Sequence, residues 1–389
     1  MNGFGFSFTE SATGSLLQWV ATGLVCIALF VGAKGPAAHA QSPDLGLGTS
    51  DRPIEVFVAP LYQQVNDDEA DISSFSTRVG ATVPLGERTT VRGHINYAQL
   101  TAENQPTVSG LADAYLSAFH TIPFESSQLV VNVDTRLPTG TQELTSDAFA
   151  TTVLTSQRPY RFAVPVLGQG WMVAPGITWV QLLNERMSLG VGASARYQGG
   201  YRPTAGSAED YVPGNEGELS LGIDYRLNDA STLALDVSGS YFGTDTEGDL
   251  DRFEARYNVS ARAQYQWAPT YHALRIQARY ENWPESRFVP VLLTQDGFDE
   301  GEPVGQQVLP SVMSMAVGYT ARASSRVHLG GRVDVHHYAE TTRFDATTVA
   351  RVQATPRFRF DPVRITPNVS YTLGDFSGFE AGLRTTVQF

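Results

Sequence analysis

Apolar and polar positions alternate with a period of two along most of this chain. In "ELSLGIDYRLN", Leu219, Leu221, Ile223, Tyr225 and Leu227 fall on one face, with Ser220, Gly222, Asp224 and Arg226 on the other. "VRITPNVSYTL" does the same with Val363, Ile365, Val369, Tyr371 and Leu373 against Arg364, Thr366, Asn368, Ser370 and Thr372. The chain closes on "GFEAGLRTTVQF", in which Phe379, Ala381, Leu383, Val387 and Phe389 oppose Glu380, Arg384, Thr386 and Gln388. Successive side chains of a strand point to opposite faces, so each segment predicts a strand lying between two unlike surroundings. The runs last about ten to sixteen residues, longer than soluble strands and suited to a tilted membrane span.

The connections alternate as well. Short links such as "LGER" at 85–88, "NER" at 184–186, "NDA" at 228–230 and "SSR" at 324–326 alternate with long polar stretches, among them 199–217, 243–251 and 284–309. Tight turns at one end and long loops at the other are the asymmetry of a bacterial outer-membrane barrel. Strand starts are expected near 54, 73, 89, 110, 127, 171, 187, 218, 231, 252, 271, 311, 326, 346, 363 and 378. The fold class predicted is therefore all-β, a closed antiparallel transmembrane barrel of about sixteen strands, or fourteen if the poorly alternating segments near 110 and 171 are not strands. Hydrocarbon offers no hydrogen-bond partners, so the last strand must pair with the first. A terminal aromatic such as Phe389 after alternating apolar residues resembles the signal read by the barrel-assembly machinery, which is thus an expected partner alongside outer-membrane lipid.

The beginning of the chain adds a destination. "LLQWVATGLVCIALFVGA" from Leu16 leads into "KGPAAHA", where Ala38 and Ala40 form the small-x-small pattern of a signal-peptidase site. We expect a leader over residues 1–40, cleavage between Ala40 and Gln41, a lead-in over 41–52 and a single barrel domain over 53–389. Residues 1–15 lack the basic residues usual in a leader, and an uncleaved helical anchor is the alternative. After residue 40 no apolar run approaches a spanning helix.

Composition then removes several function classes. The single cysteine, Cys26, and the one lysine, Lys34, both lie in the leader, which excludes a disulfide scaffold or thiolate metal site from the barrel. A formal net charge of −13 argues against nucleic acid as a partner. The remaining histidines are too scattered to nominate a metal site, and no cofactor is expected.

One connection breaks the rhythm. Residues 137–170, "LPTGTQELTSDAFATTVLTSQRPYRFAVPVLGQG", are too long for a simple loop. Ser146 or Asp147 would cap a short helix through "AFATTVLTSQ", ahead of Pro159. Its apolar residues Phe149, Val153 and Leu154 need shelter, which makes them candidates for a pore constriction or ligand contact. The alternatives are an outside loop packed on itself or two extra strands.

"SGLADAYLSAF" from Ser109, followed one strand later by "RLPTG" at 136–140, resembles the MetA-pathway phenol-degradation family of outer-membrane proteins. Ala112 stands where that family usually has glycine, and Asp113 is retained. The family is regarded as related to the FadL-like barrels. The resemblance implies passive passage of small hydrophobic or aromatic molecules.

The polar faces carry many arginines and several acids. Arg256, Arg262, Arg332, Asp334, Arg351, Arg357, Arg359, Arg364 and Arg384 are the candidate lumen-lining residues, and those on the last three strands are the least balanced by acids. Charge in a pore can select ions, although cross-strand pairing is the commoner fate of such side chains. The function expected is a channel for passive uptake or exchange of small solutes. The rivals are a structural or adhesive barrel with a closed lumen and, more remotely, a lipase-like or deacylase-like barrel enzyme. For the enzyme, His328, His336 and Asp334 on one strand are the best available cluster, with no catalytic residue nominated.

Overall fold

The computed structural model describes residues 53–389, apart from 68–70, 156–158, 163–165, 208, 289–290, 295–296, 301–303 and 343–344. The expected leader, the Ala40–Gln41 site and the lead-in lie outside the described residues. Sixteen antiparallel strands form one closed sheet. They are β1 (Glu55–Asn66), β2 (Asp71–Leu85), β3 (Thr89–Ala102), β4 in two pieces (Val108–Leu111 and Ala114–Pro123), β5 (Ser127–Leu137), β6 (Met172–Asn184), β7 (Met187–Gln198) and β8 (Glu216–Asn228). There follow β9 (Ser231–Phe242), β10 (Tyr257–Trp267), β11 (His272–Asn282), β12 (Val312–Arg322), β13 (Val327–Tyr338), β14 in two pieces (Thr347–Ala354 and Arg357–Phe360), β15 (Val363–Gly374) and β16 (Ser377–Gln388).

Each strand pairs with the next, and β16 closes on β1 through Glu55↔Gln388 to Asn66↔Ser377. Phe389 completes the seam: its N–H donates to the carbonyl of Ile54 at 3.0 Å and its carbonyl accepts from Ile54 at 3.2 Å. No strand edge of the barrel is left open, the condition that hydrocarbon imposes.

Side-chain parity sorts the wall as the alternation predicts. Leu219, Leu221, Val237, Val191, Met315, Val333, Val369 and Leu383 are exposed on the outside. Asp236, Asp334, Glu380 and their in-register neighbours face the lumen. Aromatic side chains mark both ends of the outer band, with Tyr197, Tyr241 and Tyr280 near the long loops and Trp179, Trp267 and Tyr319 near the short turns. An apolar band edged by aromatic belts is the surface that a bilayer requires. Tyr201 and Trp283 lie beyond the strand ends, among the long loops, where Trp283 is buried.

The long loops build upward from the wall. Segments Tyr211–Val212, Thr244–Glu247, Leu250–Glu254, Ser286–Phe288 and Val304–Gln306 form a second small sheet. This corrects the expected strand start near 252. Arg256 has φ 68°, so the chain turns there and β10 begins only at Tyr257. Residues 250–254 keep the alternating pattern while pairing with 244–247 rather than with β9. Two wall strands carry similar interruptions that alternation does not reveal. β4 breaks at Ala112–Asp113, and β14 breaks at Thr355–Pro356, where proline offers no N–H to the ladder.

Candidate functional site

The segment between β5 and β6 enters the lumen, and the quoted motif residues hold its two ends. Asp113, in the break of β4, is buried at 3% exposure. Its Oδ1 accepts from the backbone N–H of Gly140 at 2.8 Å, and its Oδ2 accepts from that of Gln169 at 2.6 Å. The guanidinium of Arg136 lies 3.6 Å from the same carboxylate. It also donates to the carbonyls of Gly170 (3.1 Å) and Gln169 (2.8 Å) and to Gln169 Oε1 (2.7 Å). Gly140 and Gly168 pack so closely that a Cβ on Gly140 would sit 2.6 Å from the Gly168 Cα. One carboxylate thus clasps the beginning and end of the loop, and two glycines let the strands of the clasp meet.

Beyond the clasp runs helix α1 (Ser146–Thr155). Its cap is Thr145 rather than Ser146 or Asp147: the Thr145 carbonyl accepts from Phe149 N–H at 2.8 Å and its hydroxyl from Ala148 N–H at 3.4 Å. Asp147 lies in the first turn, where the helix dipole favours it. Phe149 packs with Ala148 and Leu167 against Ala98, Leu100, Val108, Leu144 and Val166. Covering a side chain the size of Leu100 stabilises by roughly 1.5–3 kcal/mol, and this cluster seats the helix on β3 and β4. Phe149 is therefore packed against the wall at β3 and β4; the side chains of Val153 and Leu154 lie outside the described residues.

The loop then reaches the opposite wall. Tyr160 and Phe162 pack against Val65, Tyr338, Val349 and Phe376, and Tyr160 stands edge-on to the ring of Phe376 at 5.3 Å. The Tyr160 hydroxyl donates to Asp67 at 2.6 Å. Arg161 Nη1 lies 3.4 Å from Asp334 Oδ2 and 2.8 Å from His336 Nε2, while Gln63 Nε2 donates to the Arg161 carbonyl at 3.3 Å. Asp334, at 1% exposure, is the hub of this wall. Arg332 pairs with it at 3.1 Å, and Arg351 lies 3.8 Å from it and 3.5 Å from Glu380. Glu380 accepts in turn from Gln63 at 3.1 Å and from Asn368.

The remaining candidates divide by position. Arg262 faces the lumen between Asp236 and Arg279, and its guanidinium donates to Gln264 at 2.5 Å. Arg357, Arg359, Arg364 and Arg384 face the lumen toward the end that carries both termini. Arg256 is exposed at the break before β10, outside any wall strand, so it does not line the barrel wall in register with Arg262. Arg161 and Asp113 make polar contacts that anchor the loop, and nothing local in the sequence marks Arg161.

Against the wall of β6–β11 the loop leaves space. A cavity of about 440 Å³ is lined there by small or polar side chains, including Gly192, Ser220, Gly222, Ser238 and Ser260, with Asp224, Asp236 and Arg262 among them. Around Arg161, Gln63 and His336 only about 30 Å³ remains. Pro159, Tyr160 and Arg161 of the loop line the small cavity, whereas no residue of the loop lines the larger one.

The loop sheet has its own half-buried polar cluster. Tyr211 donates its hydroxyl to Asp245, which also accepts from the Gly214 N–H at 2.7 Å. Burial pushes the Tyr211 phenol up, and the Asp245 charge adds to it. Burial likewise raises the Asp245 carboxyl, against those two hydrogen bonds.

His336 sits between Asp334, 2.9 Å from its Nε2, and Arg161. Ser314 stands opposite it in register, yet among the described residues no serine or threonine hydroxyl bonds to His336. A nucleophile–base pair needs such a contact.

No family model matches the chain, and no curated protein matches it in sequence. Solved structures do. CdiB from Acinetobacter baumannii is similar with a TM-score of 0.50 at 8% identity, over 87% of this chain and 61% of that one. An outer membrane channel from Pseudomonas putida F1 matches with a TM-score of 0.41 at 11% identity, over 90% of this chain and 100% of that one. A mutant of the TodX monoaromatic hydrocarbon channel gives 0.45 at 12% identity, over 87% and 90%. At such identities the feature shared is the fold, a closed antiparallel β-barrel of the outer-membrane kind.

Proposed function

We propose that this chain is a bacterial outer-membrane channel for the passive exchange of small solutes. The observation that carries the reading is the uneven filling of the lumen. The 137–170 loop is fastened to both walls but leaves a polar cavity of about 440 Å³ along β6–β11. A barrel serving only as a scaffold has no need of an unfilled polar arc along its inner wall. The lining of serine, glycine and charges of both signs supports polar solutes. Passage of hydrophobic or aromatic compounds rests on the motif resemblance alone, and those motif residues build the clasp of the loop.

Conductance across planar bilayers tests the reading. The purified barrel should give discrete steps, and deleting residues 141–168 should raise the step size several-fold. Absence of steps in a folded barrel would instead favour the closed-lumen structural reading. Cell fractionation should recover the chain with the outer membrane.

A further inference from the structure

The arginines of the lumen fall into two groups. Near the long loops Arg161, Arg332 and Arg351 share Asp334 and Glu380. Toward the termini the same wall carries arginines with no such partner. Arg322 stands directly opposite His328, and His328 directly opposite Arg357. Arg359 stands directly opposite Arg364. Arg384 lies on the neighbouring strand, opposite Thr366, and stacks over the ring of Phe57 at 4.1 Å. Among the described residues the one ion pair in this group is Arg359 with Asp361, 4.0 Å away on a turn where Asp361 is 81% exposed. The carboxylate of Glu55 accepts from the neutral amide of Gln388 at 2.6 Å and keeps its charge near Arg384. Asp224 and Asp236 face the lumen from β8 and β9, five or more strands round the wall from β14–β16.

Like charges directly opposite on a sheet repel, and Arg359 and Arg364 form such a pair beside Arg322, Arg357 and Arg384, five arginines against the two nearby carboxylates of Asp361 and Glu55. A mobile anion relieves that repulsion. Guanidinium forks match carboxylate and phosphoryl oxygens in pairs, and a ring of like charge within low-dielectric walls raises the local concentration of the opposite ion. We propose that the terminus-side lumen of β12–β16 is an anion-binding belt that selects small organic anions bearing a carboxylate. This deepens the channel reading and rests on it.

The test is the reversal potential of the whole purified chain in planar bilayers under a potassium chloride gradient, followed by addition of benzoate, acetate or inorganic phosphate. The parent should favour chloride over potassium by at least about threefold, and benzoate should reduce chloride current in a saturable way. The variant Arg359→Gln/Arg364→Gln/Arg384→Gln should lose the preference and the block together. Its folding is checked by heat-modifiable gel migration. Arg364→Lys, which keeps charge and removes the fork, should retain the chloride preference and bind benzoate more weakly. Conducting channels that show no anion preference, or a preference unchanged in the triple variant, overturn the belt while leaving the channel intact. A folded parent that does not conduct overturns the channel reading itself. Block by phosphate at lower concentration than any carboxylate overturns the assignment of carboxylates.

Discussion

Arg161 approaches Asp334 to 3.4 Å although the two belong to opposite sides of the barrel. Arg161 is carried on the connection between β5 and β6, whereas Asp334 lies on β13, eight strands round a wall of sixteen. The loop therefore crosses the lumen completely and is tied at both ends, by Asp113 on the near wall and by Asp334 on the far wall.

Removing the far tie should open the path without unfolding the barrel. Arg161 is 38% exposed, so its pairing contributes little to stability. Asp334 keeps Arg332 and Arg351 when Arg161 is absent. Arg161→Ala should raise single-channel conductance and its noise, with the urea midpoint of the barrel almost unchanged. Identical current traces from variant and parent would mean that the loop stays across the lumen without this contact.

Asp334→Ala should behave differently. It strips the counter-charge from Arg332 and Arg351 on the wall and from Arg161 on the loop at once. Arg161 and Arg332 are more than a third exposed and lose little, so the cost falls mainly on Arg351, 20% exposed and left with Glu380 alone, at about 1 kcal/mol. The midpoint of urea unfolding in detergent micelles should fall visibly, and Asp334→Asn should recover part of the loss. An unchanged midpoint would show that water replaces the carboxylate.

Much of the barrel was legible in the sequence because a membrane wall imposes a strict two-residue period. The strands expected near 89, 127, 187, 231 and 363 begin at those positions. The miss at 252 has a physical cause, since Phe253, Ala255 and Tyr257 alternate while Arg256 turns the chain at positive φ. The alternation of apolar and polar positions was legible too, although it placed Arg256 in a wall strand that begins only at Tyr257. Which arginine meets which acid was not, because the answer depends on a loop that spans the barrel. Arg161 sits in "RPYRFA", a stretch without periodicity, and its partner lies 173 residues away. Asp113 was visible only as part of a resemblance, and its role as a clasp follows from geometry.

The clasp predicts a sharp response to a single methyl group. A Cβ on Gly140 would approach the Gly168 Cα to 2.6 Å and Asp113 Oδ1 to 2.8 Å, and backbone on that side cannot swing away as a side chain would. Gly140→Ala should cost about 1–3 kcal/mol and loosen the loop locally. Limited proteolysis should then nick the 141–168 segment while the barrel keeps its heat-modifiable migration. Resistance equal to the parent's would place the strain elsewhere.

The loop sheet should be sensitive to alkali and tolerant of acid. Burial raises both Tyr211 and Asp245, so the folded state prefers their protonated forms. For the phenol, the stabilisation is complete below the unfolded value near pH 10 and is lost as pH rises through the folded one. For the carboxyl, the proton is held more tightly folded than unfolded, so acidification through its titration range adds stability to the cluster. Phenolate absorbance at pH 11 should therefore fall at least one tyrosine short of the total, the missing absorbance appearing on unfolding. In Tyr211→Phe the shortfall should shrink by one tyrosine, and Asp245 should keep only the Gly214 N–H at 2.7 Å. A parent that titrates every tyrosine at pH 11 while still folded would show that water reaches this cluster, and that the loop sheet does not shelter it.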